Sequence, residues 1–157
     1  MSIEEWALIA CVVFAALWSG LLAMLTTVMH PMLRAMDGRD FTLFLRGFLP
    51  PARRAPFNYL AIAGMIAAPI VALVTIDSGE AAFVLVAIGL ALTVTGPLLV
   101  SNRLAEPNYD VILAWDPDRL PEGWERAQAR YFALNWIRAA ATWAALVAFI
   151  AALATAI

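Results

Sequence analysis

The sequence predicts an all-α integral membrane four-helix bundle, and three observations carry that prediction. Four apolar stretches crowd into only 157 residues. Hydrophobic residues make up 64% of the chain, against about 45–50% in an ordinary soluble domain. The mean hydropathy of +0.83 agrees. A helix needs about 20 mainly apolar residues to cross roughly 30 Å of hydrocarbon, and each stretch is long enough. Backbone in lipid must satisfy its own hydrogen bonds, which makes these segments helices rather than strands. The chain reads as a single domain, 1–157, with spans at about 6–30, 57–76, 81–100 and 133–157.

The first span lies in Trp6–Leu33, which contains no Asp, Glu, Arg or Lys. A secretion signal would open with a positive segment and carry a short apolar run. Here Glu4 and Glu5 come first, and Arg34 is the earliest basic residue. The expectation is therefore a transmembrane helix of the mature chain. The second and third spans, within Ala55–Ile76 and Ala81–Asn102, are equally free of charge, and only Arg138 interrupts Tyr131–Ile157. The fourth helix should start well before its span, near Pro121, where a first-turn proline is tolerated and Glu122 and Arg126 form a favourable i,i+4 pair.

The connections are not plain linkers. The first, opening at Asp40 as a candidate N-cap and rich in Phe and Leu, should lie in the membrane interface or tuck beneath the bundle. Pro50, Pro51 and Pro56 then redirect the chain. The other long connection holds Asn108, Tyr109, Asp110, Trp115 and a turn at Asp116-Pro117-Asp118, with Trp115 and Trp124 as interface anchors.

Arginine sets the orientation. The ten basic residues are all Arg, and nine of them fall outside the spans. Arg34, Arg39, Arg46, Arg53 and Arg54 lie between the first two spans; Arg103, Arg119, Arg126 and Arg130 lie between the last two. The Asp77–Glu80 turn has none. Basic residues near spans stay on the cytoplasmic side, so both long segments are expected there, with both termini extracytoplasmic, in a multi-pass protein of the cell membrane. A net charge of −2 without a basic block argues against nucleic acid as a partner. The lone Cys11 allows no internal disulfide, and with the lone His30 it leaves no zinc or di-iron ligand set. No cofactor is expected.

Polar residues gather at one level. His30 ends the first span, Asn58 opens the second, Ser101 and Asn102 end the third, and Asn135 and Arg138 open the fourth. Polar groups at membrane depth are costly and usually face the bundle interior or a cavity. On the last helix Trp124, Gln128, Tyr131, Asn135, Arg138 and Thr142 follow steps of four and three, which puts them on one face. Ser19, Thr26 and His30 repeat the pattern on the first. The spacing suggests a polar-lined pocket between first and fourth helices, open to the cytoplasmic leaflet; the plainer alternative is a structural hydrogen-bond network with Arg138 snorkelling to the headgroups. Ala140, Ala144, Ala148 and Ala152 form a small-residue stripe for close packing, echoed by Gly64 with Ala68 and Gly89 with Thr93. Pro69 and Pro97 should bend their helices.

The run Pro97…Asn102-Arg-Leu…Trp115…Pro121-x-x-Trp124…Arg130-Tyr131…Asn135-x-x-Arg138 resembles the anthrone-oxygenase-like family of small four-helix membrane proteins. The resemblance implies a cofactor-free oxygenase of polycyclic phenol- or anthrone-like substrates, whose carbanions react with oxygen directly. It implies His30 as the base, Arg138 and Asn102 as stabilisers of the oxyanion, and Trp124, Tyr131 and Asn135 as substrate contacts. Beside it stands the alternative of a non-catalytic membrane subunit or hydrophobic-ligand-binding bundle. The partners expected are the lipid bilayer, a hydrophobic or aromatic small molecule, and a membrane-protein partner or second copy of the chain.

Overall fold

The computed structural model describes residues 2–156, and among these it is all helical. Helix α1 runs from Ile3 to Arg34, α2 is Gly38–Arg53, α3 is Pro56–Thr75, α4 runs from Ala81 to Leu113, and α5 is Trp124–Ala156. All except α2 are long and apolar enough to cross a membrane. The start of α1, the end of α5 and the Ile76–Glu80 turn lie at one end of the bundle; α2 and the 114–123 connection lie at the other. Going round the bundle, α1 packs on α3, α3 on α4, α4 on α5 and α5 on α1.

Local chemistry sets the ends. Ser2 caps α1 through a reciprocal pair with Glu5, at 3.1 Å and 2.9 Å. Asp37 caps α2 by accepting the Asp40 amide at 2.8 Å, so the cap lies three residues before the expected Asp40. The helix then runs through Pro50 and Pro51, which complete it rather than divert the chain. Ala55 is extended ahead of Pro56, which opens α3. At Gly123, φ is +72°, a left-handed conformation that lets the chain turn into α5. The last helix therefore begins at Trp124, after Pro121.

The larger correction concerns α4. Ser101 and Asn102 do not end it: the helix continues to Leu113 through a π-helical stretch, Val94–Ala105, and Pro97 lies inside that stretch. Proline removes a backbone donor and clashes with the preceding turn; the wider winding accommodates it within a continuous helix. A second π-helical stretch, Leu25–Met29, sits on α1 at the same end of the bundle. At about 1.5 Å per residue, a 33-residue helix is about 50 Å long, far more than the bilayer core requires.

Two apolar cores result. One, built around Leu8, Cys11, Leu22, Met65, Val86 and Phe149, fills the bundle toward the termini. The other, around Leu33, Phe41, Leu45, Ile112, Tyr131 and Phe132, joins α2 to the extended ends of α1, α4 and α5. Helix α2 contributes its apolar face, with Phe41 and Leu45 fully buried and Leu49 nearly so. Each such burial stabilises by roughly 1.5–3 kcal/mol. Its arginines, seven residues apart, hold the opposite wall. Arg39 donates to Asp118 at 2.8 Å, Arg46 to the carbonyls of Leu113 and Trp115, and Arg53 reaches Glu106 at 2.7 Å and Asp110 at 2.8 Å. The hydrogen bond to Asp118, with that carboxylate's charge, raises the Arg39 pKa further above its ordinary value.

Close packing uses glycine as expected and alanine differently. A Cβ on Gly64 would meet the Phe14 ring, one on Gly89 the Phe149 ring, and one on Gly96 the Cβ of Ala141. Of the expected alanine stripe, Ala148 and Ala152 are buried, but Ala140 and Ala144 are exposed. A strict four-residue step drifts around a helix of 3.6 residues per turn, so the stripe leaves the interface. The buried alanines of α5 are Ala139, Ala145, Ala148 and Ala152.

Candidate functional site

The polar residues of α5 meet those of α4 at the seam between the two cores. Asn135 is fully buried. Its side-chain amide donates to the Tyr131 carbonyl at 3.0 Å, one turn back. Its Oδ1 accepts from the Tyr109 hydroxyl at 3.2 Å and from Nη1 of Arg138 at 3.0 Å. The same Nη1 donates to the Tyr109 oxygen at 3.1 Å. Tyr109, Asn135 and Arg138 thus close a triangle in which each touches both others. Arg138 makes no ion pair among the described residues, and its Nε is enclosed without a partner.

Beside the triangle is an apolar cavity of about 560 Å³, open on one side, where the lining residues Met24, Val28 and Met32 of α1 and Phe57 of α3 are exposed. Helix α1 lines one side with Trp18, Leu22, Leu25, Met29 and Met32; α2 adds Phe48, Leu49 and Arg53; α3 adds Phe57 and Asn58. Glu106 and Tyr109 of α4 and Tyr131 and Arg138 of α5 complete it. The volume falls in the range of small-molecule sites, about 300–1,000 Å³, and the lining has their usual character, apolar walls with a few polar groups. Asn58 is occupied in joining α2 to α3, donating to the Ala52 carbonyl at 2.7 Å. Trp18, almost fully buried, presents an indole N–H that has no partner.

The structure brings together only part of the expected set. Arg138, Asn135 and Tyr131 share the seam, and all six residues of the α5 face from Trp124 to Thr142 are at least partly buried. His30 is buried at the same level but does not line the cavity. Its ring lies among Phe132 at 4.7 Å, Tyr131 at 5.8 Å and Trp136 at 6.4 Å, and neither ring nitrogen has a partner. Asn102 is exposed, apart from the triangle, because the π-helical stretch carries it to the outside of α4. Trp124 is away from the cavity as well: it stands against Trp115, centroids 6.4 Å apart, and above Gly38. Tyr109 supplies, with its hydroxyl, the polar group of α4 that was expected from Asn102. Its aromatic character and its place three residues after Glu106 were visible, but not that α4 extended far enough to deliver it. Ser19 and Thr26 face the bundle as expected, Thr26 bonded within its own helix to the Leu22 carbonyl at 2.7 Å.

The fold places the chain in the class of multi-pass α-helical membrane proteins. Comparisons with protein-family models, with curated proteins and with solved structures find no match.

Proposed function

We propose that this protein is a membrane-embedded binder of a hydrophobic small molecule, held in the cavity between α1, α2 and the Tyr109–Asn135–Arg138 triangle. The observation that carries the reading is one apolar cavity ending at an arginine without a carboxylate partner. A packing network alone needs no cavity. In this reading the arginine-rich segments, α2 and 114–123, lie in the cytoplasm and both termini lie outside, so the cavity belongs to the cytoplasmic leaflet.

A second reading, cofactor-free oxygenation of the bound molecule, draws on the resemblance to the anthrone-oxygenase-like family and on the donors of the triangle, which suit a developing oxyanion. The geometry does not favour His30 as its base, since the ring is packed among aromatic side chains and does not line the cavity. Glu106 lines the cavity but is engaged by Arg53 at 2.7 Å. Binding is therefore the better-supported function.

Mass spectrometry of organic extracts from purified protein tests it. The wild type should retain a hydrophobic molecule that Leu25→Trp, which fills the cavity wall, releases. Extracts that are identical for the two folded proteins, and free of any enriched small molecule, would overturn the proposal.

A further inference from the structure

Resting on that reading, we infer that Arg138 is the headgroup receptor of the cavity, and that the occupant is a drug-sized amphipathic acid: an apolar body with a compact anionic head, a carboxylate. The triangle spends only one end of the guanidinium. Nη1 serves Tyr109 and Asn135. Nη2 makes no hydrogen bond and is not among the enclosed atoms, so it is the nitrogen of Arg138 that a ligand can reach. Nη2 still carries two N–H donors, and a hydrogen bond from a guanidinium to a carboxylate is charge-assisted, roughly twice as strong as a neutral one.

Charge balance points the same way. The other cation on the lining, Arg53, is held by two carboxylates, Glu106 and Asp110. Arg138 has none, and its hydrogen-bond partners in the chain are a phenol and an amide, both neutral. A charged side chain in a transmembrane helix is expensive and is normally paired. The triangle fixes the guanidinium in place but does not neutralise it; a bound anion does. About 560 Å³ falls in the small-molecule range, room for the body of a single-chain acid; the displacement arm of the test below separates that acid from a phospholipid.

The test uses the full chain in nanodiscs of phosphatidylcholine, with three probes that share one apolar tail: dodecanoic acid, dodecanol and dodecyltrimethylammonium. At about pH 8.5, well above the ordinary carboxylate range, the acid should bind about tenfold or more tightly than the alcohol, and the cation weakest. Arg138→Gln should remove the preference for the acid, so that acid and alcohol bind alike; Arg138→Lys should keep part of it. Equal binding of acid and alcohol to the wild type overturns the headgroup assignment while leaving the cavity reading intact. Failure of every probe overturns both. Should Arg138→Gln not accumulate, the wild-type ratio and the lysine variant still decide. Displacement of the acid by phosphatidylglycerol doped into the disc, lost in Arg138→Lys, would make the occupant a lipid and overturn the assignment to a free acid.

Discussion

Arg138 of α5 donates from Nη1 to the hydroxyl of Tyr109 on α4 at 3.1 Å, a side-chain bond that joins residues 29 positions apart. Asn135, one turn before Arg138, accepts from both. The three groups specify how the extended end of α4 sits on α5. Interhelical hydrogen bonds of this kind average only about 0.6 kcal/mol in a membrane. Tyr109→Phe should therefore accumulate normally and lose about 1 kcal/mol or less in unfolding by denaturant. A variant that fails to fold would mean that the triangle is the main support of the α4–α5 contact, which its size does not suggest.

Glycine substitutions should divide by what faces them. A methyl at Gly89 meets the Phe149 ring, which is itself fully buried and has nowhere to move. Gly89→Ala should cost about 1–3 kcal/mol, the usual range for overpacking. Gly20 has open space around its Cβ direction, and Gly20→Ala should be neutral or stabilise by up to about 1 kcal/mol through helix propensity. Thermal unfolding in detergent orders the two; the reverse order would contradict the packing.

His30→Phe should be tolerated. Neither nitrogen of this buried ring has a partner, and its neighbours are aromatic. Replacing an unsatisfied polar ring by an apolar one of similar shape is nearly neutral or stabilising. The variant should accumulate, stay within about 1.5 kcal/mol of the parent, and retain the same extractable molecule. A folded variant that loses the molecule would restore His30 to the site.

The orientation proposed for the bundle predicts which loop meets the outside. Single cysteines at Ser78 and Arg119, both exposed, should be modified from opposite sides of intact cells, with Ser78 reached from outside by a membrane-impermeant reagent. Native Cys11 is fully buried and should give little background. Labelling of Arg119→Cys alone from outside would invert the topology.

The spans were legible because hydrophobicity is summed over many residues and tolerates local exceptions. The inward face of α5 was legible for the same reason: steps of four and three persist from Trp124 to Thr142. What local pattern could not supply was partnership. Arg39, Arg46 and Arg53 looked like markers of sidedness, yet Arg39 and Arg46 also hold the connection after α4, and Arg53 the last turns of α4 itself. The polar run Ser101-Asn102-Arg103 resembled a helix end, although nothing in it breaks a helix. That single misreading placed Asn102 where Tyr109 stands and left the triangle without its phenol. Winding, unlike spacing, is not written in residue type.

The π-helical stretch of α4 has a consequence for how such a site can vary. Each residue advances an ordinary α-helix by about 100°, whereas i→i+5 winding turns the chain less per residue. Over Val94–Ala105 the accumulated lag resets the rotational phase of everything beyond it. Tyr109 therefore owes its inward aim to the number of residues in that stretch, not to its distance from Gly89 or Thr93 in the core. Loss of one residue there would swing Tyr109 through most of a right angle while leaving the membrane-spanning half in register. Length in this segment, more than composition, tunes what the cavity presents to its occupant.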